Sequence, residues 1–213
     1  MEVVTISRKQ KFKGKTLFKT RVVNHIVKVY NDDTFDFSSD WYENTSTLAK
    51  SMSAKYGVDY LKVCGIITAL SPLKSWAENQ KIANTFLANR VAKHTGLLRG
   101  KAEAILNNVE KNEAEAILRI LNGNKIQNFF LNIAFPKEAE AVTIDRHALS
   151  ICLNRRVVNK EGIGVTDRQY NFFASCYVEA SKLLNVRPSQ VQSVTWEKWR
   201  ALKNIDTFSD VPF

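Results

Sequence analysis

Apolar residues recur three and four positions apart along most of this chain, the spacing that lines one face of an α-helix. Val22, Val23, Ile26, Val27 and Tyr30 form the first such stripe, and Asn31-Asp32-Asp33 ends it. Leu48, Met52 and Tyr56 mark a second helix, with Thr45 or Ser46 as its cap and Gly57 as its stop. Asp59 is placed to cap an apolar helix over 60–70. Pro72 marks a turn before a helix over 76–87, and further helices are expected over 100–109 and 113–121. Beyond a turn at Asn122-Gly123, the positions Ile126, Phe129, Phe130 and Ile133 predict an amphipathic helix that Lys125 opens and Pro136 closes. Residues 142–144 are β-branched or apolar but too few for an ordinary strand. Thr143 is the expected N-cap of a helix over 145–153. A glycine-containing loop over 159–165 interrupts the pattern, and helices over 167–184 and 188–203 complete it. No sustained alternating run and no internal repeat occurs. The expected fold class is all-α, a helical body of one domain over 22–213, with the option of two helical lobes and a cleft between them.

Charge changes this picture at one end. The chain has 213 residues and a formal net charge of +10, a balance that favours polyanionic partners. Arg8, Lys9, Lys11, Lys13, Lys15, Lys19 and Arg21 follow one another without an acid, interleaved with Phe12 and Phe18. Residues 1–21 therefore read as a basic arm, suited to lying along phosphates and equally to being a solvated tail.

Cysteine usage removes other classes. Cys64, Cys152 and Cys176 are odd in number, widely spaced and set in apolar runs, so they are expected to be buried thiols of a reducing compartment. No Cys-x-x-Cys pair or closely spaced histidine pair suggests zinc, and three cysteines do not hold a four-thiolate iron–sulfur cluster. Neither a metal nor a cofactor is expected. No apolar stretch approaches the length of a membrane span, and the N-terminus lacks an apolar signal core. The expectation is a monomer of the cytoplasm, or of a eukaryotic nucleus, with no membrane partner and no secretion.

The residues most suggestive of chemistry are Leu121-Asn122-Gly123-Asn124-Lys125 and Thr143-Ile144-Asp145-Arg146-His147, with Asp145 following Lys125 by 20 residues. A glycine turn delivers a lysine to the first turn of one helix, and one helix and loop later an aspartate stands at the start of the next. Upstream lie Ala69-Leu70-Ser71-Pro72-Leu73-Lys74-Ser75-Trp76 and Gly96-Leu97-Leu98-Arg99-Gly100-Lys101-Ala102. In order and spacing, over roughly 60–155, these segments resemble the helix-hairpin-helix (HhH-GPD) superfamily of base-excision DNA glycosylases. The hairpin departs from that pattern: Leu121 or Asn122 stands where the family usually has a first glycine.

The resemblance implies a DNA-binding protein, on duplex or single strand, that hydrolyses the N-glycosidic bond of an extruded damaged or modified base. It implies Asp145 as the carboxylate facing the positive charge that develops on the sugar. It places Lys125 where bifunctional members carry a nucleophile, and His147 in a supporting position beside Arg146. Gly123 and Asn124 would offer backbone N–H groups to a phosphate, with Arg8, Lys9, Lys11, Lys13 and Lys15 as further backbone contacts. Ser71, Trp76, Asn79 and Phe130 are the candidate base pocket, because an extruded base needs apolar and aromatic walls. Taken alone, Asp145 reads as a capping aspartate paired with Arg146 or Arg155, Lys125 as a solvent-facing lysine, and the aromatics as core. Two alternatives use the same scaffold: a transferase that modifies a base, of the kind attributed to viral relatives, and a DNA-binding protein without catalysis.

Overall fold

The structure is a computed structural model, and it describes residues 8–158 and 164–203. Most of the loop expected over 159–165 lies outside the described residues. Along the chain run β1 (Lys9–Phe12), β2 (Lys15–Phe18), α1 (Lys19–Tyr30), α2 (Trp41–Tyr56), α3 (Tyr60–Ala69), α4 (Trp76–Asn89), α5 (Gly96–Leu106) and α6 (Glu113–Leu121). They are followed by α7 (Asn124–Ala134), α8 (Arg146–Cys152), α9 (Asp167–Leu184) and α10 (Pro188–Leu202). The protein is all-α apart from a single two-stranded hairpin among the described residues. None of the described helices is long and apolar enough to cross a membrane.

The chain divides into two compact units, Asp40–Ala139 and the residues that flank it on both sides. Each has its own apolar core.

In the flanking unit, the stripe expected on α1 buries Val22, Val23 and Ile26 against α9, α10 and α8. The basic arm is ordered where it is described. Residues 9–18 form an antiparallel hairpin with Lys9 opposite Phe18 and Lys11 opposite Thr16. Its two-residue turn, Lys13-Gly14, has φ of 46° and 76°. Two consecutive positive φ values match the right-handed twist of the strands, and glycine reaches them without cost. Phe12 anchors the hairpin, buried with its ring edge-on to Phe173 at 5.4 Å. Gln169 Nε2 also donates to the Lys11 carbonyl at 3.1 Å.

In the central unit, α3 is the hub. It is apolar nearly all round, as a helix enclosed by neighbours must be, and it contacts α2, α4, α5, α6 and α7. Asp59 caps it as the sequence predicts, accepting from the Leu61 N–H at 2.7 Å. Gly65 permits its closest approaches: a Cβ there would lie 2.9 Å from Ile117 Cγ2 and 3.2 Å from Ile105 Cγ2. Phe129, Phe130 and Ile133, the stripe predicted on α7, fill the core beside Ile66, Ile67 and Leu70.

Candidate functional site

Asp145 ends an extended stretch that the Tyr170 side chain bridges. The Tyr170 hydroxyl, from α9, donates to the Val142 carbonyl at 2.8 Å and accepts from the Ile144 N–H at 3.1 Å. With backbone groups satisfied two residues apart, this buried stretch runs into α8 without a partner strand among the described residues. Asp145, not Thr143, is then the N-cap: its Oδ1 accepts from the Ala148 N–H at 2.7 Å.

The second carboxylate oxygen faces another element. Oδ2 accepts from Trp196 Nε1 of α10 at 3.1 Å. Both donors are neutral, and both come from rigid helices. Asp145 is 2% exposed. Around it the Trp196 indole is met edge-on by the His147 ring at 5.7 Å and stacked by the Arg200 guanidinium at 4.5 Å from its centroid. Arg146 Nη2 lies 3.5 Å from His147 Nε2. Aspartate, indole, imidazole and guanidinium thus form one buried cluster in the flanking unit. Trp196 is its centre. The phenol of Tyr177 nearby is pushed well above its usual range, by burial first and by the Cys152 thiol next, with Asp145 a lesser cause.

The helix–turn–helix with Lys125 belongs to the central unit. Asn122 has φ of 49° and Gly123 a φ of 115°, so the chain reverses within two residues and α7 starts at Asn124. Gly123 is the N-cap, and no side chain caps this helix start. Gly123 is exposed, and Asn124 and Lys125 are half-buried. Two side chains brace the turn. Lys101 Nζ donates to the Leu121 carbonyl at the end of α6, and Gln127 Nε2 donates to the Leu118 carbonyl at 2.9 Å. Lys101 comes from the upstream segment of the sequence pattern and carried no assigned role there.

Of the expected base-pocket residues, three are inside the central core. Phe130 is fully buried. Ser71 donates to the Thr68 carbonyl at 2.8 Å, closing the end of α3, and Asn79 Nδ2 donates to the Ile67 carbonyl at 3.0 Å. Trp76 is half-buried, with its ring centroid 5.1 Å from that of Trp41, which in turn lies 6.2 Å from Phe129. The four residues therefore belong to one unit, but only Trp76 presents surface.

The basic positions are presented to solvent. Arg8, Lys9, Lys11, Lys13 and Lys15 are all exposed. Lys9, Gln10, Lys11 and Thr16 line a groove of about 340 Å³ together with Arg168 from the first turn of α9. Every charged residue of that groove is a cation. A second groove, of about 380 Å³ in the central unit, sets Lys50 and Lys137 against Glu43 and Glu138 and so has no net preference for anions.

The three cysteines are buried free thiols, and burial pushes Cys64 and Cys176 up to about 12. That makes them poor nucleophiles near neutrality.

A family of unknown function, DUF7178, matches residues 8–203. The chain belongs to the DUF7178 family. That match takes in the hairpin, both sides of the Asn122-Gly123 turn and the Asp145 cluster. No curated protein and no solved structure matches the chain.

Proposed function

We propose that this DUF7178 protein binds DNA and acts on the N-glycosidic bond of an extruded base, with Asp145 as the carboxylate that stabilises the developing positive charge. The observation that carries this reading is how Asp145 is held. Its two oxygens accept from neutral N–H donors, Ala148 of α8 and Trp196 of α10, so among the described residues its charge is oriented by hydrogen bonds from two helices. A preorganised carboxylate of this kind is what an oxocarbenium-like transition state rewards. The order of turn lysine and capping aspartate supports the glycosylase resemblance, and the exposed cations supply the attraction to phosphate. Because Asp145 is buried, a base reaches it only when bound DNA displaces part of its cover. The scaffold is expected to need no metal or cofactor for hydrolysis.

That same burial favours a second reading, a DNA-binding protein in which Asp145 is purely the cap of α8. Labelled oligonucleotides carrying a panel of modified bases, incubated with wild type and with Asp145→Asn and scored with and without alkali, separate the two. Hydrolysis predicts alkali-revealed breaks with wild type, reduced about 10²–10⁴-fold by the substitution, with DNA affinity retained. Binding that weakens with salt and produces no breaks from any base supports the binder. A gain in oligonucleotide mass without base loss points to transfer chemistry at the same scaffold.

A further inference from the structure

The hairpin combines two features that the charge count alone does not join. Paired residues of an antiparallel ladder point to the same side, and successive residues along a strand point to opposite sides. The register therefore puts Lys9 and Lys11 of β1 on one face with Phe18 and Thr16 of β2. The other face turns Phe12 inward onto α9. On the outer face Phe18 is 54% exposed. Phe18 thus sets an aromatic ring on the surface, directly opposite Lys9 and beside a groove whose charged residues are Lys9, Lys11 and Arg168.

The geometry points to this face as a binding platform for single-stranded nucleic acid: one base stacks on Phe18, and the flanking phosphates lie in the groove of Lys9, Lys11 and Arg168, with Thr16 as a hydroxyl partner. The inference rests on the nucleic-acid-binding part of the proposed function. It goes beyond that reading in naming the strandedness, the stacking residue and Arg168. A duplex keeps its base faces stacked inside, so Phe18 has nothing to gain from it, whereas a single strand exposes a π-face at every nucleotide. The groove is long enough in cations to neutralise two or three phosphates. The platform is also preformed: the Phe12–Phe173 contact and the Gln169 bond to the Lys11 carbonyl fix the hairpin on α9 before any ligand arrives. An anionic lipid surface would also attract the lysines, but it would ask for a wider apolar face than one ring beside a charged groove.

The test is fluorescence anisotropy of the full chain with a labelled oligothymidine, with a duplex of mixed sequence, and with phosphatidylserine vesicles. Wild type, Phe18→Leu, Phe18→Tyr and the double variant Lys11→Ala/Arg168→Ala are compared, each with its fold verified by circular dichroism. Phe18→Leu should weaken oligothymidine binding about fivefold to hundredfold, the range for losing one base–aromatic stack, and Phe18→Tyr should restore it. Duplex binding should change far less. Lys11→Ala/Arg168→Ala should lower the slope of log K against log salt on the single strand by about 1.4, two phosphates' worth. The platform is overturned if Phe18→Leu binds oligothymidine like wild type, if duplex and single strand lose equally, or if the variants lose only vesicle binding. In the first two cases wild-type DNA binding persists and the proposed function stands. If wild type binds neither oligonucleotide at low salt, that function falls as well.

Discussion

Trp196 donates its indole N–H to Asp145 across 51 residues of sequence, at 3.1 Å and out of contact with solvent. The bond joins the start of α8 to the middle of α10. Trp196→Phe keeps a ring for His147 and Arg200 but removes the donor, leaving a buried carboxylate oxygen without its partner. The expected loss of stability is about 1–3 kcal/mol, the cost of an unsatisfied buried polar group. Urea denaturation followed by circular dichroism measures it. An unchanged midpoint would mean that water replaces the indole.

Lys125 sits in the first turn of α7, two residues past a turn that lacks the first glycine of the glycosylase pattern. A lysine nucleophile needs a lowered pKa and a partly desolvated position facing the sugar. The expectation is that borohydride traps no covalent complex between wild type and DNA carrying a modified base. Lys125→Ala should then weaken DNA binding modestly and leave the chemical step intact. Trapping by wild type that disappears in Lys125→Ala would instead make Lys125 the nucleophile.

Gly65 tests the packing of the central unit. Gly65→Ala forces a methyl group to within 2.9 Å of Ile117 Cγ2, a branch that cannot swing away within a filled core. The substitution also improves intrinsic helix propensity by about 1 kcal/mol, which works in the opposite direction. Overpacking should win, with a net loss of about 1–2 kcal/mol seen as a lowered denaturation midpoint. A gain would show that α5 and α6 yield easily.

Glu197, on α10, has its carboxyl raised above the ordinary 4.5 by burial, against a smaller opposing pull from Arg200. The folded protein holds this proton more tightly than the unfolded chain does. The group's favourable contribution is complete below 4.5 and is lost as pH rises through the raised folded value. Glu197→Gln should therefore be more stable than wild type at neutral pH, and the two should converge in acid. Denaturation midpoints across pH measure this, and parallel curves would refute it.

The helices were legible because their apolar stripes are local. Predicted and observed limits coincide for Glu113–Leu121 and Asp167–Leu184, and nearly so for α3 and α10. Boundaries elsewhere are shifted. α2 begins at Trp41, ahead of the Thr45 or Ser46 expected to cap it, because Trp41 and Tyr42 pack against Phe129. α5 begins at Gly96 rather than Gly100. The hairpin escaped notice because its charges dominate the composition, although Gly14 between Lys-Gln-Lys-Phe and Lys-Thr-Leu-Phe was a usable sign of a turn. The cluster around Asp145 was legible only in part. The aspartate at a helix start could be read from its neighbours, but the indole that meets it is chosen by how α10 lies on α8, which no local pattern encodes. The cover over Asp145 likewise depends on packing rather than on spacing.

Tyr170 has a consequence for how this unit tolerates change. Its one hydroxyl performs the service that a neighbouring strand would otherwise provide, accepting from the Ile144 N–H and donating to the Val142 carbonyl at either side of Thr143. The path into Asp145 is therefore suspended in part from α9, the helix to which the hairpin is also fastened. A turn or slide of α9 would move the hairpin and the aspartate as one mechanical assembly. Tyr170→Phe, by cutting the suspension and leaving the ring, would uncouple them.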